Sequence, residues 1–161
     1  MSIRTLEDQV KRRVEEATKG VQLIDNDGNY VEPLIVTGAL PSEAIKGRPY
    51  ILIQTLKISD DDLESRVEIG ILYSTVGMSR DEESSRHIGV LKDAYSRGHW
   101  DILGVIEKIR LNFLKEANFE FGVLDRKMQH EVFGNVNFKF YMGESRVKFR
   151  IPTIAPENDY V

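Results

Sequence analysis

Apolar residues fall on a single stripe at the start of the chain. Ile3, Leu6, Val10, Val14 and Ala17 recur at helical spacing, and Arg4, Glu7, Lys11, Arg12 and Glu15 occupy the other side. This pattern predicts a surface helix within residues 1–18, packed by one face, with Lys19 in its last turn and Gly20 as its stop. The period then shortens. Residues 21–24 and Tyr30–Val31 read as short strands joined by Asp25-Asn26-Asp27-Gly28-Asn29, residue types that tolerate turns with positive φ. Leu34–Thr37 is extended until Gly38-Ala39-Leu40-Pro41 breaks it. Residues 50–58, rich in Ile, Leu and Thr, form the strongest strand signal. After a turn at Ser59-Asp60-Asp61-Asp62, residues 66–74 alternate, with Val67, Ile69, Ile71 and Tyr73 on one face. These two runs are expected to pair antiparallel.

Residues 76–99 carry a polar run, Asp81-Glu82-Glu83-Ser84-Ser85-Arg86. Ile88, Leu91 and Tyr95 then return at helical spacing, but Gly89 and Gly98 weaken a long helix. The expectation is a mobile loop with a few helical turns. The main helix is expected over residues 100–117. Its principal stripe is Ile102, Ile106, Ile109 and Phe113, flanked by Val105, and a second strip comprises Trp100, Leu103, Leu111 and Leu114. So wide an apolar arc needs cover on two sides: the sheet on one, and the N-terminal helix or another subunit on the other. Three alternating runs follow. Phe119, Phe121 and Val123 share a face, as do Val136, Phe138, Phe140 and Met142, and as do Val147, Phe149 and Ile151. Between the last two runs, Gly143 and Glu144 read as a hairpin-like turn. Pro152 stops the final strand, and residues 155–161 read as a loose tail. The order of elements predicts an α+β fold, an antiparallel or mixed β-sheet with two main helices packed on one face. Residues 1–161 read as a single domain of 161 residues, a length at which roughly 70% of the unfolded chain's surface is buried.

Composition narrows the function classes. The formal net charge is −4, against the basic excess usual for phosphate-backbone binding, although a local basic patch stays open. There is no cysteine, so disulfides, thiolate nucleophiles and Cys-ligated zinc are excluded. No apolar run approaches the ~20 residues of a membrane helix, and the charged N-terminus lacks a signal-peptide core. A cytoplasmic protein with no membrane partner is expected.

The chemical motifs are weak. Asp25-Asn26-Asp27-Gly28 has Leu23 and Leu34 where a calcium loop needs oxygen ligands, which leaves a hairpin turn. Asp60, Asp61, Asp62 and Glu64 form an acidic cluster that reads first as a solvated turn and second as a contact for a basic partner. His87, His99 and His130 lack metal-ligand spacing, and no nucleophile elbow, phosphate loop or dinucleotide fingerprint is present. Arg146, Lys148 and Arg150 alternate with Val147, Phe149 and Ile151. They suit an edge strand guarded by charge, or a basic stripe facing an acidic neighbouring subunit or passing DNA. Glu107 and Arg110 lie one turn apart in the wide arc, as an intrachain pair or an intersubunit contact.

Three stretches together resemble one family, the tail terminator or tail-completion proteins of long-tailed bacteriophages. Gly38-Ala39-Leu40-Pro41, then Arg48-Pro49-Tyr50-Ile51-Leu52-Ile53 and the strand pair to Gly77, is similar to its Leu-Pro segment and first two strands. Gly98-His99-Trp100-Asp101-Ile102-Leu103 through Glu107-Lys108-Ile109-Arg110 resembles its Gly-aromatic-Asp opening and Glu-x-Ile-Arg helix. Phe140-Tyr141-Met142-Gly143-Glu144 with Phe149-Arg150-Ile151-Pro152 resembles its ending. The chain departs from the family in its long polar stretch at residues 78–97, and in having Asn135-Val136-Asn137 where prolines are usual. The resemblance implies a non-enzymatic virion protein without cofactor. It would form a homo-oligomeric, hexameric ring that caps the tail tube protein, ends polymerisation and presents a surface to the head connector and neck proteins. It would work in the host cytoplasm during assembly and then in the virion tail or neck. On that reading Trp100, Leu103, Glu107, Arg110 and Leu111 are the candidate subunit interface. Arg146, Lys148 and Arg150 are the candidate lumen stripe, touching genomic DNA weakly. Asp60, Asp61, Asp62, Glu64, Arg80, Glu82 and Glu83 are candidate docking-loop residues. The alternatives are another phage neck or head-completion component, or an unrelated small α+β ligand-binding module.

Overall fold

The computed structural model of the chain describes residues 3–40, 47–77, 88–137 and 140–152. Among them the architecture is α+β: two helices and one curled, mixed sheet, with a separate two-stranded hairpin. Helix α1 (Ile3–Ala17) forms where the apolar stripe predicts it. Leu6, Val10 and Val14 are fully buried, Thr18 returns its hydroxyl to the Val14 carbonyl, and Gly20 ends the turn at φ +80°. Strands β1 (Leu23–Ile24) and β2 (Tyr30–Val31) close the hairpin. One carboxylate oxygen of Asp25 accepts the Asp27 and Asn29 amides, and Gly28 takes φ +84°. The acidic run is therefore turn chemistry.

In the main sheet, β3 (Leu34–Thr37) pairs parallel with β4 (Tyr50–Asp60), and every other pairing is antiparallel. Strand β4 pairs with β5 (Glu64–Val76), as the sequence predicts. β5 pairs with β9 (Phe140–Pro152) along its whole length, from Glu64 opposite Pro152 to Val76 opposite Phe140. The far side of β9 is taken by β7 (Gly122–Leu124), which carries β6 (Asn118–Phe119), and by β8 (Gln129–Asn137).

Helix α2 (Ile88–Lys115) lies with α1 on one face of this sheet. Ile102, Val105, Ile106, Ile109 and Phe113 are buried against Val67, Ile69, Ile71 and Tyr73 of β5 and Val147 and Phe149 of β9. Arg13 of α1 ties the two helices together. Its guanidinium donates to the Asn112 side chain at 2.9 Å and to the Asn112 and Glu116 carbonyls at 2.8 Å, satisfying carbonyls that a helix end leaves open. The same group sits 4.3 Å above the Phe119 ring, and its partial burial lowers its pKa.

Several expectations are corrected. Helix α2 begins at Ile88 rather than residue 100, so residues 88–99 of the expected mobile loop are helical. Residues 78–87 and the expected loose tail 155–161 lie outside the described residues. Gly98 does not weaken the helix for nothing: it is where α2 touches the sheet. A Cβ there would stand 2.3 Å from the Tyr141 ring, and the Gly98 carbonyl accepts the buried Thr75 hydroxyl at 2.6 Å. No turn forms at Gly143-Glu144. Strand β9 runs straight through, and Gly143 leaves room for Ile102 and the Glu131 carbonyl, which a Cβ would meet at 3.0 and 3.1 Å. Phe119 and Val123 do not share a face, because a turn at residues 120–121 separates β6 from β7; Phe119 is buried and Val123 exposed. Strand β8 also starts at Gln129, earlier than the alternation at Val136 suggests.

The two helix glycines with known surroundings make opposite predictions. Gly98→Ala introduces the clash with Tyr141 and is expected to destabilise by about 1–3 kcal/mol, the usual range for overpacking. Gly104→Ala meets no atom within 4 Å and is expected to stabilise by about 0.5–1 kcal/mol through helix propensity. Urea unfolding of both variants checks the pair.

Candidate functional site

At about 100° per residue, Trp100, Leu103, Glu107, Arg110 and Leu111 occupy an arc of roughly 100° on the side of α2 turned from the sheet. Trp100, Leu103 and Leu111 remain 52%, 45% and 55% exposed. Gly104 borders this arc with open space above it, so the backbone is approachable there. Leu114, the fourth member of the second strip, is partly buried. Helix α1 crosses α2 near Asn112 and leaves this face bare. Glu107 and Arg110 are both exposed and form no ion pair with each other.

Arg146, Lys148 and Arg150 all point outward from β9. The edge-strand reading is corrected, since β9 is paired on both sides. The stripe is also partly neutralised. Arg146 reaches Glu144 at 3.0 Å, and Lys148 stands opposite Glu68 on β5. Arg150 differs: its cross-strand neighbours are Arg66 and Val123. Positive charge therefore gathers at one end of the stripe. There Arg66, Lys115, Arg126, Lys148 and Arg150 line a groove of about 760 Å³ with the exposed Val123.

The acidic cluster sits at the far end of the β4–β5 hairpin. Asp61 builds the turn by accepting the Leu63 amide at 2.8 Å and the Glu64 amide at 2.7 Å, bonds that lower its pKa. Asp60 accepts the Ser65 hydroxyl, and Glu64 pairs with Arg66 at 3.2 Å. Asp62 is exposed, and Leu63 beside it is 85% exposed. Leu56 and Ile58 on β4 add further exposed apolar surface. Arg80, Glu82 and Glu83 lie outside the described residues. The α2 face is thus distinct from the outer face of β9, whereas the hairpin tip adjoins the cationic end of that face through the Glu64–Arg66 pair.

One constellation was not visible in the motifs. Under α2, the Tyr73 hydroxyl donates to Ser145 Oγ at 2.7 Å, and Ser145 Oγ lies 2.6 Å from His130 Nδ1. Ser145 is fully buried, so this Ser–His–Tyr chain offers no nucleophile to a substrate. The chain is complete when Tyr73 donates to Ser145 and Ser145 donates to a neutral His130. His130 Nε2 is buried without a partner. Burial and then the Arg110 charge hold the His130 pKa below its usual value. The available signal was Ser145 itself, a polar residue in the inward phase of the alternation that holds Val147 and Phe149. A second buried polar atom, Asp101 Oδ2, lies 4.0 Å from Arg97 Nε and makes no hydrogen bond. Burial raises the Asp101 pKa, more than the Arg97 charge lowers it.

Among the described residues no group of three or more His, Asp or Glu side chains could hold a metal, and no helix is long and apolar enough to cross a membrane. No family model and no curated protein sequence matches this chain.

The His130 environment sets a pH dependence. With its pKa depressed in the fold, the unfolded chain binds the extra proton first. Stability is then fully present above the unfolded value of 6.5 and falls as pH drops through it toward the folded value. Asp101 acts in the opposite sense: its raised pKa makes the folded chain bind the proton first, which favours folding as pH falls toward 3.8. Urea midpoints measured from pH 7.5 to 5.5 are expected to decline in the wild type and to flatten in His130→Gln.

Proposed function

We propose that this chain is a structural assembly protein of a long-tailed phage, which caps the tail tube as a ring and forms the surface for head–tail joining. The observation that carries the reading is the bare α2 face. Trp100, Leu103 and Leu111 stay about half exposed on a helix whose opposite side is fully packed. Isolated exposed apolar residues are ordinary, but three on one face of a helix, one of them a tryptophan, suit a surface meant for a protein. Subunit closure covers such a face, and a closed ring leaves no open end for further addition. The resemblance of residues 38–41, 48–77, 98–110 and 140–152 to the tail terminators adds the context of tail tube and connector.

In this proposal Glu107, between Leu103 and Leu111, and Arg110, at the border of the face, select the partner's register by charge. The outward cations of β9 face the lumen or the neighbouring subunit, and the hairpin tip meets the tube or connector. Function then rests on fit between subunits, in the host cytoplasm first and in the virion afterwards. The buried Tyr73–Ser145–His130 chain stiffens the strands that hold these surfaces in place.

Electron microscopy of particles assembled without the protein tests this. Overlong tails, or finished tails that fail to join heads, are the expected outcome; normal infectious particles overturn the proposal. Complementation with Trp100→Asp/Leu111→Asp refines it. Both sites are exposed, so the unfolding free energy from urea titration is expected to change by no more than about 0.5 kcal/mol per site, while rescue of tail completion is lost. A double variant that completes tails normally removes the α2 face from the interface.

A further inference from the structure

We infer that the β4–β5 hairpin tip of one copy docks into the cationic groove at the end of β9 in a second copy. The inference rests on the self-assembly part of the reading above and names a contact distinct from the α2 face. Three observations carry it. First, Arg150 faces Arg66 directly across the β5–β9 ladder, where like charges destabilise a sheet. Among the four ion pairs of the described residues only Glu64–Arg66 touches this groove, and Lys115, Arg126, Lys148 and Arg150 take part in none. The groove's two acids, Glu116 and Asp125, each accept a nearby backbone amide instead, from Asn118 at 3.0 Å and Lys127 at 3.1 Å. A docked anionic segment relieves the repulsion.

Second, the groove has an apolar floor as well as charge, because Val123 is 40% exposed beside Arg150. An occupant with acidic groups around a protruding aliphatic side chain fits it better than a bare polyanion does. Third, this chain carries such an occupant. Leu63, 85% exposed, projects between Asp62 and Glu64, with Asp60 alongside. The Asp61 turn fixes that shape before any partner arrives, so little ordering cost remains for docking. Tip and groove adjoin within one chain through the Glu64–Arg66 pair but are not the same surface, so a tip-to-groove contact between copies is heterologous and can be repeated around a ring.

The absence of cysteine allows a clean test. One full-length preparation carries Leu63→Cys, and a second, affinity-tagged, carries Val123→Cys. They are mixed under mild oxidation at about 0.15 M salt, where the Debye length is about 8 Å. The mixed disulfide dimer is expected to exceed both like-with-like dimers by about tenfold, equivalent to 1.4 kcal/mol. It is expected to fall toward their level at about 1 M salt, where the Debye length is about 3 Å. Adding Lys148→Glu and Arg150→Glu to the Val123→Cys chain should abolish the excess, and adding Asp60→Lys and Asp62→Lys to the other chain should restore it. Circular dichroism and urea unfolding check that each variant is folded; the salt series needs no charge-reversed chain.

A mixed dimer no more abundant than like-with-like dimers overturns the inference, as does an excess insensitive to salt. Failure here with tail completion still dependent on Trp100 and Leu111 leaves the ring proposal standing. A salt-sensitive mixed dimer from a protein that phage particles do not need supports the contact and removes the tail function.

Discussion

The pairing of β5 with β9 is the constraint on which the rest of the structure depends. Both strands are 13 residues long and are matched from end to end. A slip of β9 by one residue would turn Val147 and Phe149 to solvent and bring Lys148 and Arg150 into the core, against the unchanged inward set Val67, Ile69, Ile71 and Tyr73 of β5. The inward set is the floor on which α2 lies, and the outward set contains every charge of the β9 stripe. One register therefore determines both the hydrophobic core and the electrostatic pattern of the opposite face.

Close approach then fixes the helix on this floor. Gly98 brings α2 against Tyr141, Gly143 lets Ile102 settle over β9, and Thr75 binds the Gly98 carbonyl. Each contact depends on a missing side chain or a buried hydroxyl, so neither the position nor the rotation of α2 can drift without a clash. Arg13 holds the C-terminal end of the helix, where its guanidinium serves the carbonyls of Asn112 and Glu116 and covers Phe119. Held at Gly98 and near Asn112, α2 has its rotation determined, and Trp100, Leu103 and Leu111 are left facing outward. The bare face is a consequence of the packing beneath it.

The polar interior follows the same logic. Ser145 occupies an inward position that an aliphatic residue could fill, yet it links Tyr73 to His130 across three adjacent strands. Such a chain aligns strands through directional bonds where apolar contacts alone would tolerate sliding. The unpartnered Nε2 of His130 and Oδ2 of Asp101 make this region sensitive to protonation.

Hydrophobic periodicity by itself determined the α+β class, the buried face of α1, the antiparallel β4–β5 pair, and the buried stripe Ile102, Ile106, Ile109 and Phe113. These are local properties, set by the period at which apolar side chains recur. The sequence also indicated that α2 carries more apolar surface than a sheet can cover. It misplaced features whose meaning depends on distant partners. Gly98 and Gly143 read as breakers because nothing nearby in the sequence reveals Tyr141 or Ile102 pressing against them. The Arg146, Lys148 and Arg150 stripe read as a possible edge because strand order is a property of the whole sheet. Only the tertiary structure set Glu144 and Glu68 against two of these cations and Arg66 against the third, and so determined where positive charge remains unbalanced. Which charges cancel depends on pairing across space, and the period of a single strand carries no record of its neighbours.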